Sequence, residues 1–302
     1  MKENQASYSA MITASIRAYH SMNDTPKIFD DFLAYRLIPQ EVRALIEQGL
    51  TKYKQFDDPE HTASCSDQPV PWTALMQATN VLSRARYTED ALERAVRQGV
   101  KQYVILGAGM DTFAFRRPEL LEQLEVFEID HPATQNFNLL RLADLGWEHP
   151  VQLHFIPIDF TKENLADALN RSSSYDPNVK SFFSWLGVTM YLTREEVFAT
   201  LRSITNIAPK DSAVVFDYFD TDAFIPEKSS PKMQKKQEVF QKLGEKMITG
   251  FNPVTLDEDI ASLGLRLYDN LSPEDIEKRY FKGRKDGYHA PEHGHIAYSI
   301  VE

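Results

Sequence analysis

From Tyr103 onward the chain alternates short apolar runs with longer amphipathic stretches. The runs are Tyr103–Leu106, Val126–Ile129, His154–Ile158, Ser181–Trp185 and Ala213–Phe216. Continuous apolar runs of about four to eight residues are what strands covered on both faces require, and the amphipathic stretches between them supply the covering helices. The pattern predicts an α/β fold with a doubly wound, mostly parallel sheet. Leu265–Tyr268 and His295–Val301 add two further strand-like runs near the end, for seven in all.

The first hundred residues read differently. Ile28, Phe29, Phe32, Leu33 and Leu37 recur at helical spacing, as do Val42, Leu45, Ile46 and Leu50. A segment rich in turn formers, from Asp57 to Pro71, separates them from two predicted helices, Ala74–Tyr87 and Thr88–Gly99, with Thr88 as N-cap of the second and Gly99 as its stop. The organisation expected is a helical cap over residues 1–100 and a core over 101–302. Within the core, residues 220–250 are Lys-rich: a lid over the sheet's carboxyl edge, or simply a solvated helix face.

Composition narrows the function classes. The 302 residues carry 33 Lys+Arg against 44 Asp+Glu, a net charge of −11, which disfavours nucleic acid and anionic membranes as partners. With Cys65 alone there is no internal disulfide and no all-cysteine metal site. The start lacks the basic flank and apolar run of a signal peptide, and no apolar stretch approaches the roughly 18 residues of a membrane span, so a cytoplasmic protein is expected.

Candidate chemistry gathers where the runs end. Gly107-Ala108-Gly109 follows the first run, where glycines let a ligand approach the backbone and a helix start offers free N–H groups. Asp130 ends the second run, 21 residues beyond Gly109, a spacing that suits a carboxylate on a ribose. A dinucleotide turn usually has a third small residue; here Thr112 and bulky Phe113 stand instead. Asp159 and Phe160 close the third run, as an adenine contact or, for Asp159, a helix N-cap. After Trp185-Leu186-Gly187, Tyr191 precedes the capping box Thr193–Glu196, placing its ring at the crevice mouth or beneath the helix start.

Together these segments resemble the S-adenosylmethionine-dependent methyltransferases of the leucine carboxyl methyltransferase type, which include polyketide carboxyl O-methyltransferases and many bacterial and mycobacterial members. The matching pieces are Arg84-Ala85-Arg86-Tyr87, Val104 through Thr112, Val126 through Gln135, Ile158-Asp159-Phe160 and Leu186 through Thr193. The resemblance implies a seven-stranded Rossmann-like methyltransferase core and S-adenosylmethionine as cofactor. Arg84 would pair with the cofactor carboxylate, Gly107 would lie against its methionine part, Asp130 would bind the ribose, and Asp159 with Phe160 would hold the adenine. Trp185 and Tyr191 would shape the pocket of a small-molecule acceptor. Several relatives have an acidic residue where Leu186 stands, which implies a more apolar floor here.

A carboxylate acceptor needs no general base, whereas a hydroxyl does, and His131, His289, His293 and His295 are the imidazoles on offer. The cluster His289–His295 contains Pro291 and Gly294 and reads as a turn before the last strand rather than as a metal site. An NAD(P)-dependent oxidoreductase using the same glycine turn, or a catalytically silent nucleoside-binding relative, are the competing readings. S-adenosylhomocysteine is expected to raise the melting temperature, by an amount equivalent to about 2.7 kcal/mol at 100 times its Kd. A nicotinamide dinucleotide that did so instead would reverse the assignment.

Overall fold

All seven predicted strands join one sheet in the computed structural model, which describes residues 7–44 and 69–302. They are β1 (Gln102–Leu106), β2 (Glu125–Asp130), β3 (Leu153–Pro157), β4 (Ser181–Trp185), β5 (Ala213–Phe219), β6 (Leu265–Leu271) and β7 (Gly294–Val301). Their order is β3-β2-β1-β4-β5-β7-β6. β1 to β5 pair in parallel, and β7 runs antiparallel between β5 and β6. The chain leaves β1 towards β2 and β3, then returns to β4 on the other side of β1. That reversal opens a crevice at the carboxyl ends of β1 and β4, where ligands of open α/β sheets bind.

Strand pleating divides the core into two layers. Tyr103, Ile105 and Phe182 pack with Ile12 and Ile16 of helix α1 (Tyr8–Asn23) and with Leu82 and Leu92 of helix α2 (Pro69–Arg97). Val104, Leu106, Phe183 and Trp185 point the other way. They meet Leu165 and Leu169 near helix α4 (Leu165–Asn170) and Val197, Leu201 and Ile204 of helix α5 (Arg194–Ile207). Between these in sequence, helix α3 (Pro132–Asp144) follows β2, and Leu142 on it packs with Ala14 and Ala18 of α1. Capping residues set the starts: Thr193 and Glu196 form the reciprocal capping box of α5.

The N-terminal region departs from its predicted layout. The two helices expected to meet at Thr88 are one continuous helix, α2, of 29 residues. Nothing at Tyr87-Thr88 breaks a helix, and Thr88 is buried within it rather than capping a new one. Residues 28–37 are helical only over Ala34–Leu37, and Phe32 is exposed. Side chains hold this stretch in turns: His20 Nε2 accepts the Ile28 N–H at 2.7 Å, and Asp31 accepts the Ala34 N–H at 3.1 Å. Val42 lies in a short helical stretch, while Leu45, Ile46, Leu50, Cys65 and the turn-rich segment up to residue 68 lie outside the described residues.

β5 extends three residues beyond its predicted end and so includes Asp217. After it, residues 220–250 form a 3-10 turn (Thr221–Phe224) and helix α6 (Pro231–Lys242), which buries Met233, Lys236, Val239 and Phe240. The helix is amphipathic: Lys232, Lys235 and Lys242 form a solvated face, while Lys236 is buried with the apolar residues. Among the described residues no helix is long and apolar enough to cross a membrane.

The Thr88 hydroxyl is buried with no hydrogen-bond partner among the described residues. Thr88→Val keeps the shape and removes the orphan donor, so it is expected to stabilise the ligand-free protein by about 1 kcal/mol in urea unfolding. Loss of an N-cap would instead cost about 1 kcal/mol.

Candidate active site

A cavity of about 710 Å³ lies over the carboxyl ends of β1 and β4, roofed by the start of α1 and by residues 244–248. Gly107 and Ala108 form its floor at the end of β1, both donating N–H bonds to Ile129 O, at 2.7 and 3.1 Å. Gly107 has φ +74°, and a Cβ there would lie 2.5 Å from Val188 Cγ2 of the β4 loop. Only glycine allows these two loops to pass so closely.

Asp130 ends β2 at the cavity wall. One carboxylate oxygen accepts the His131 N–H at 2.6 Å and the other accepts the Gly109 N–H. Burial nevertheless pushes its pKa up to about 6. His131 caps α3 by accepting the Ala133 N–H at 3.3 Å, and its Nε2 lies 3.9 Å from Asp159. Asp159 secures a turn by accepting from the Thr161 N–H at 3.1 Å and the Thr161 hydroxyl at 2.7 Å, and it pairs with Lys162 at 3.1 Å. Burial acts to raise its pKa, but Thr161 and Lys162 outweigh this and hold it below the usual value. The N-cap of α4 is Asn164. Phe160 borders the cavity with its ring 6.3 Å from that of Trp185.

The β4 loop holds a polar arrangement where an apolar floor was expected. Asp217, buried on β5, accepts the Gly187 N–H at 2.6 Å and pairs with Arg84 Nη1 at 2.7 Å. Asn80 Nδ2 donates to the same oxygen as Arg84 at 3.4 Å. An acid on a neighbouring strand thus reaches the loop that Leu186 leaves without one. The Arg84 guanidinium lies against Gly187, where φ is +75° and a Cβ would meet Nη2 at 2.5 Å. Tyr191, on the 3-10 turn Thr189–Tyr191, faces the same space with its ring 6.4 Å from Phe240. Burial, then Glu245, raises its phenol above the ordinary range.

Arg84, Gly107, Asp130, Asp159, Phe160 and Tyr191 therefore line one cavity. Trp185 does not: it is fully buried in the layer of α4 and α5. Strand alternation turns the preceding residue, Ser184, to the cavity, where it is 3.0 Å from the Tyr103 hydroxyl. The C-terminal histidines also lie elsewhere. His289 pairs with Glu277 at 3.2 Å and His293 with Asp220 at 3.0 Å, while His295 stacks on Tyr218 at 5.0 Å. Among the described residues no group of three His, Cys, Asp or Glu side chains is placed to hold a metal ion.

Several lining residues escaped sequence reasoning. Arg17 on α1 pairs with Asp31 at 2.9 Å and donates to Met110 O at 2.7 Å, while the Thr112 hydroxyl donates to Asp31 at 2.7 Å. Arg116 joins Asp31 at 3.8 Å and forms a bidentate pair with Glu89. Glu245 accepts the N–H groups of Tyr8 and Ser9 at 3.0 and 3.4 Å, across the cavity roof. Asp217, beneath the lining, carried a local signal, a lone acid inside an apolar strand. Asn80 Oδ1, Thr88 Oγ1 and Glu245 Oε2 are buried at the cavity without partners among the described residues. A half-buried carboxylate facing the space and unpaired polar atoms around it suit a ligand that is part nucleoside and part amino acid, within the roughly 300–1,000 Å³ of small-molecule sites.

Comparison with known proteins gives these features a family. The model of the leucine carboxyl methyltransferase family matches residues 10–205. Over 99% of both chains the sequence is 38% identical to YktD of Bacillus subtilis (strain 168), provisionally named an S-adenosyl-L-methionine-dependent methyltransferase. A relative with the same provisional name from Mycobacterium avium (strain 104) is 29% identical over 76% of this chain and 71% of its own. The crystal structure of a provisionally named methyltransferase from Thermobifida fusca YX shares the fold, with a TM-score of 0.57 at 12% identity over 100% of this chain and 97% of that one. The protein is an S-adenosylmethionine-dependent methyltransferase and belongs to the leucine carboxyl methyltransferase family.

Proposed function

We propose that the enzyme methylates a carboxylate oxygen of a small molecule. The observation that carries this reading is the position of the histidines: His289, His293 and His295 are engaged away from the cavity, and His131 is spent on capping α3 at the Asp130 end. A carboxylate is already ionised at neutral pH and asks for no base. Its oxygen bonds to the methyl carbon, the electron pair of the broken C–S bond stays on sulfur, and a neutral ester and a thioether result with no proton transferred. S-adenosylmethionine supplies the methyl group and a sulfonium charge that disappears on transfer.

In this reading Asp130 accepts the ribose hydroxyls, Asp159 and Phe160 flank the adenine, and Gly107 lets the methionine portion lie on the β1 turn. Arg84, held by Asp217, presents its remaining N–H groups to the cofactor carboxylate. Tyr191 orients the acceptor. Helices α1 and α2 and the 220–250 segment close the two sides, keeping water from the reacting atoms, with catalysis resting mainly on alignment.

Incubation with a small-molecule extract and cofactor labelled in the methyl group is expected to yield a product that releases labelled methanol in alkali. An alkali-stable label would overturn the carboxylate reading. Asp130 binds ribose as a carboxylate, so affinity for S-adenosylhomocysteine should fall about tenfold between pH 7.5 and 5, with a midpoint near 6, and Asp130→Asn should weaken binding and flatten the profile. The folding contribution has the opposite sign. A carboxyl raised from 3.8 to about 6 favours the folded state fully below pH 4, and this is lost as the pH rises through 6. Gly187→Ala is expected to displace the Arg84 guanidinium, weakening S-adenosylhomocysteine at least tenfold in calorimetry and costing about 1 kcal/mol or more of stability.

A further inference from the structure

Lys236 is a buried amine that the roles above leave unused. It projects from α6 into the cavity lining, 5% exposed, with Nζ 4.4 Å above the centroid of the Phe219 ring. Among the described residues it forms no ion pair. The nearby Arg84 is taken by Asp217 at 2.7 Å, so Lys236 is left without a carboxylate at pairing distance among the described residues. Burial and then Arg84 draw its pKa down to about 7, against the pull of Asp217, with Lys232 a further repulsion. Burying an ammonium without a carboxylate is costly, and the neighbours on α6, Met233, Val239 and Phe240, show that an apolar side chain fits this layer. A lysine at this position becomes favourable once an anion completes it.

The location indicates which anion. Phe219 ends β5, two strands away from the β1 glycine turn and on the far side of β4 from it. Arg84 lies between, against Gly187. Lys236 therefore stands at the end of the cavity beyond Arg84, away from Asp130 and Asp159. The ammonium is a point charge in a cavity also lined by Met190, Met247 and Ile248, a combination suited to an acid with a hydrophobic body.

We propose that Lys236 is the specificity-determining residue of this enzyme, pairing with the acceptor's carboxylate and selecting anionic over neutral acceptors. This rests on the carboxylate reading above. Methylation removes the acceptor's charge, so the product no longer matches Lys236, and the same contact that gathers the substrate lets the ester go.

The test uses the full-length enzyme saturated with S-adenosylhomocysteine and titrated with a panel of aliphatic and aromatic carboxylic acids, from hexanoate to cinnamate, each beside its primary amide. At least one acid is expected to bind ten times more tightly than its amide. In Lys236→Met that preference should fall below threefold, while Lys236→Arg keeps most of it and affinity for S-adenosylhomocysteine stays within twofold in both. Acid preference retained in Lys236→Met, or no acid preferred by the native enzyme, would overturn the proposal. So would a tenfold loss of S-adenosylhomocysteine affinity in Lys236→Met, which would give Lys236 to the cofactor instead. The methyl-labelling assay separates the two levels of inference. Alkali-labile product formed equally by native enzyme and Lys236→Met removes Lys236 but leaves the carboxylate reading, and an alkali-stable product removes both.

Discussion

The carboxylate of Asp217 is the constraint on which the site depends. It is 1% exposed, at the centre of the sheet's ligand-binding edge, and a buried charge of this kind persists only when its oxygens are occupied. One takes the Gly187 N–H and so fixes the turn leaving β4; the other takes Arg84 and so fixes the long helix α2 over that turn. Because Gly187 has no side chain, helix and turn meet through the guanidinium itself. Three elements from distant parts of the sequence, α2, the β4 loop and β5, thus share one polar junction beneath the cavity. Removing either partner would leave a buried charge alone.

A second polar network ties the N-terminal segment to the sheet. The Gly-Met-Asp-Thr stretch after β1 offers the Met110 carbonyl and the Thr112 hydroxyl to a cluster of Arg17, Asp31, Arg116 and Glu89. Residues that read in the sequence as part of a cofactor loop are here equally the anchorage of the helices that cover it. Asp111, half-buried beside them, has its pKa raised by desolvation, with Arg17 opposing the rise. The cavity wall is consequently set by α1 and its following turns as much as by the sheet.

The strands and the ends where chemistry gathers were legible because each signal is local. An apolar run of strand length followed by glycines or a lone acid marks a buried strand reaching a crevice, and β1 to β5 obey this. Where sequence reasoning failed, the deciding force was tertiary. The pleat puts Ser184, not Trp185, on the cavity, which depends on parity at the strand end and not on residue type. Thr88 has the chemistry of a cap, yet burial in an unbroken helix overrides it. Ile28 to Leu33 carry a helical spacing, but His20 takes the Ile28 N–H and Asp31 takes the Ala34 N–H that follows the stretch. The helical spelling of α6 was visible, but not that Lys236 on it would face the cavity, because that follows from how the segment crosses the sheet edge.

Glu245 has a consequence for how the roof of the cavity can move. Beside the N-cap Ser7, it accepts the first two backbone N–H groups of α1, so a carboxylate from the C-terminal half meets the start of the N-terminal helix, where a negative charge also matches the helix dipole. The two halves of the roof are therefore coupled: neither swings away without stripping the other of its terminal hydrogen bonds. Any opening of the roof on this side breaks these bonds together, so Glu245 ties movement at the start of α1 to movement of residues 244–248.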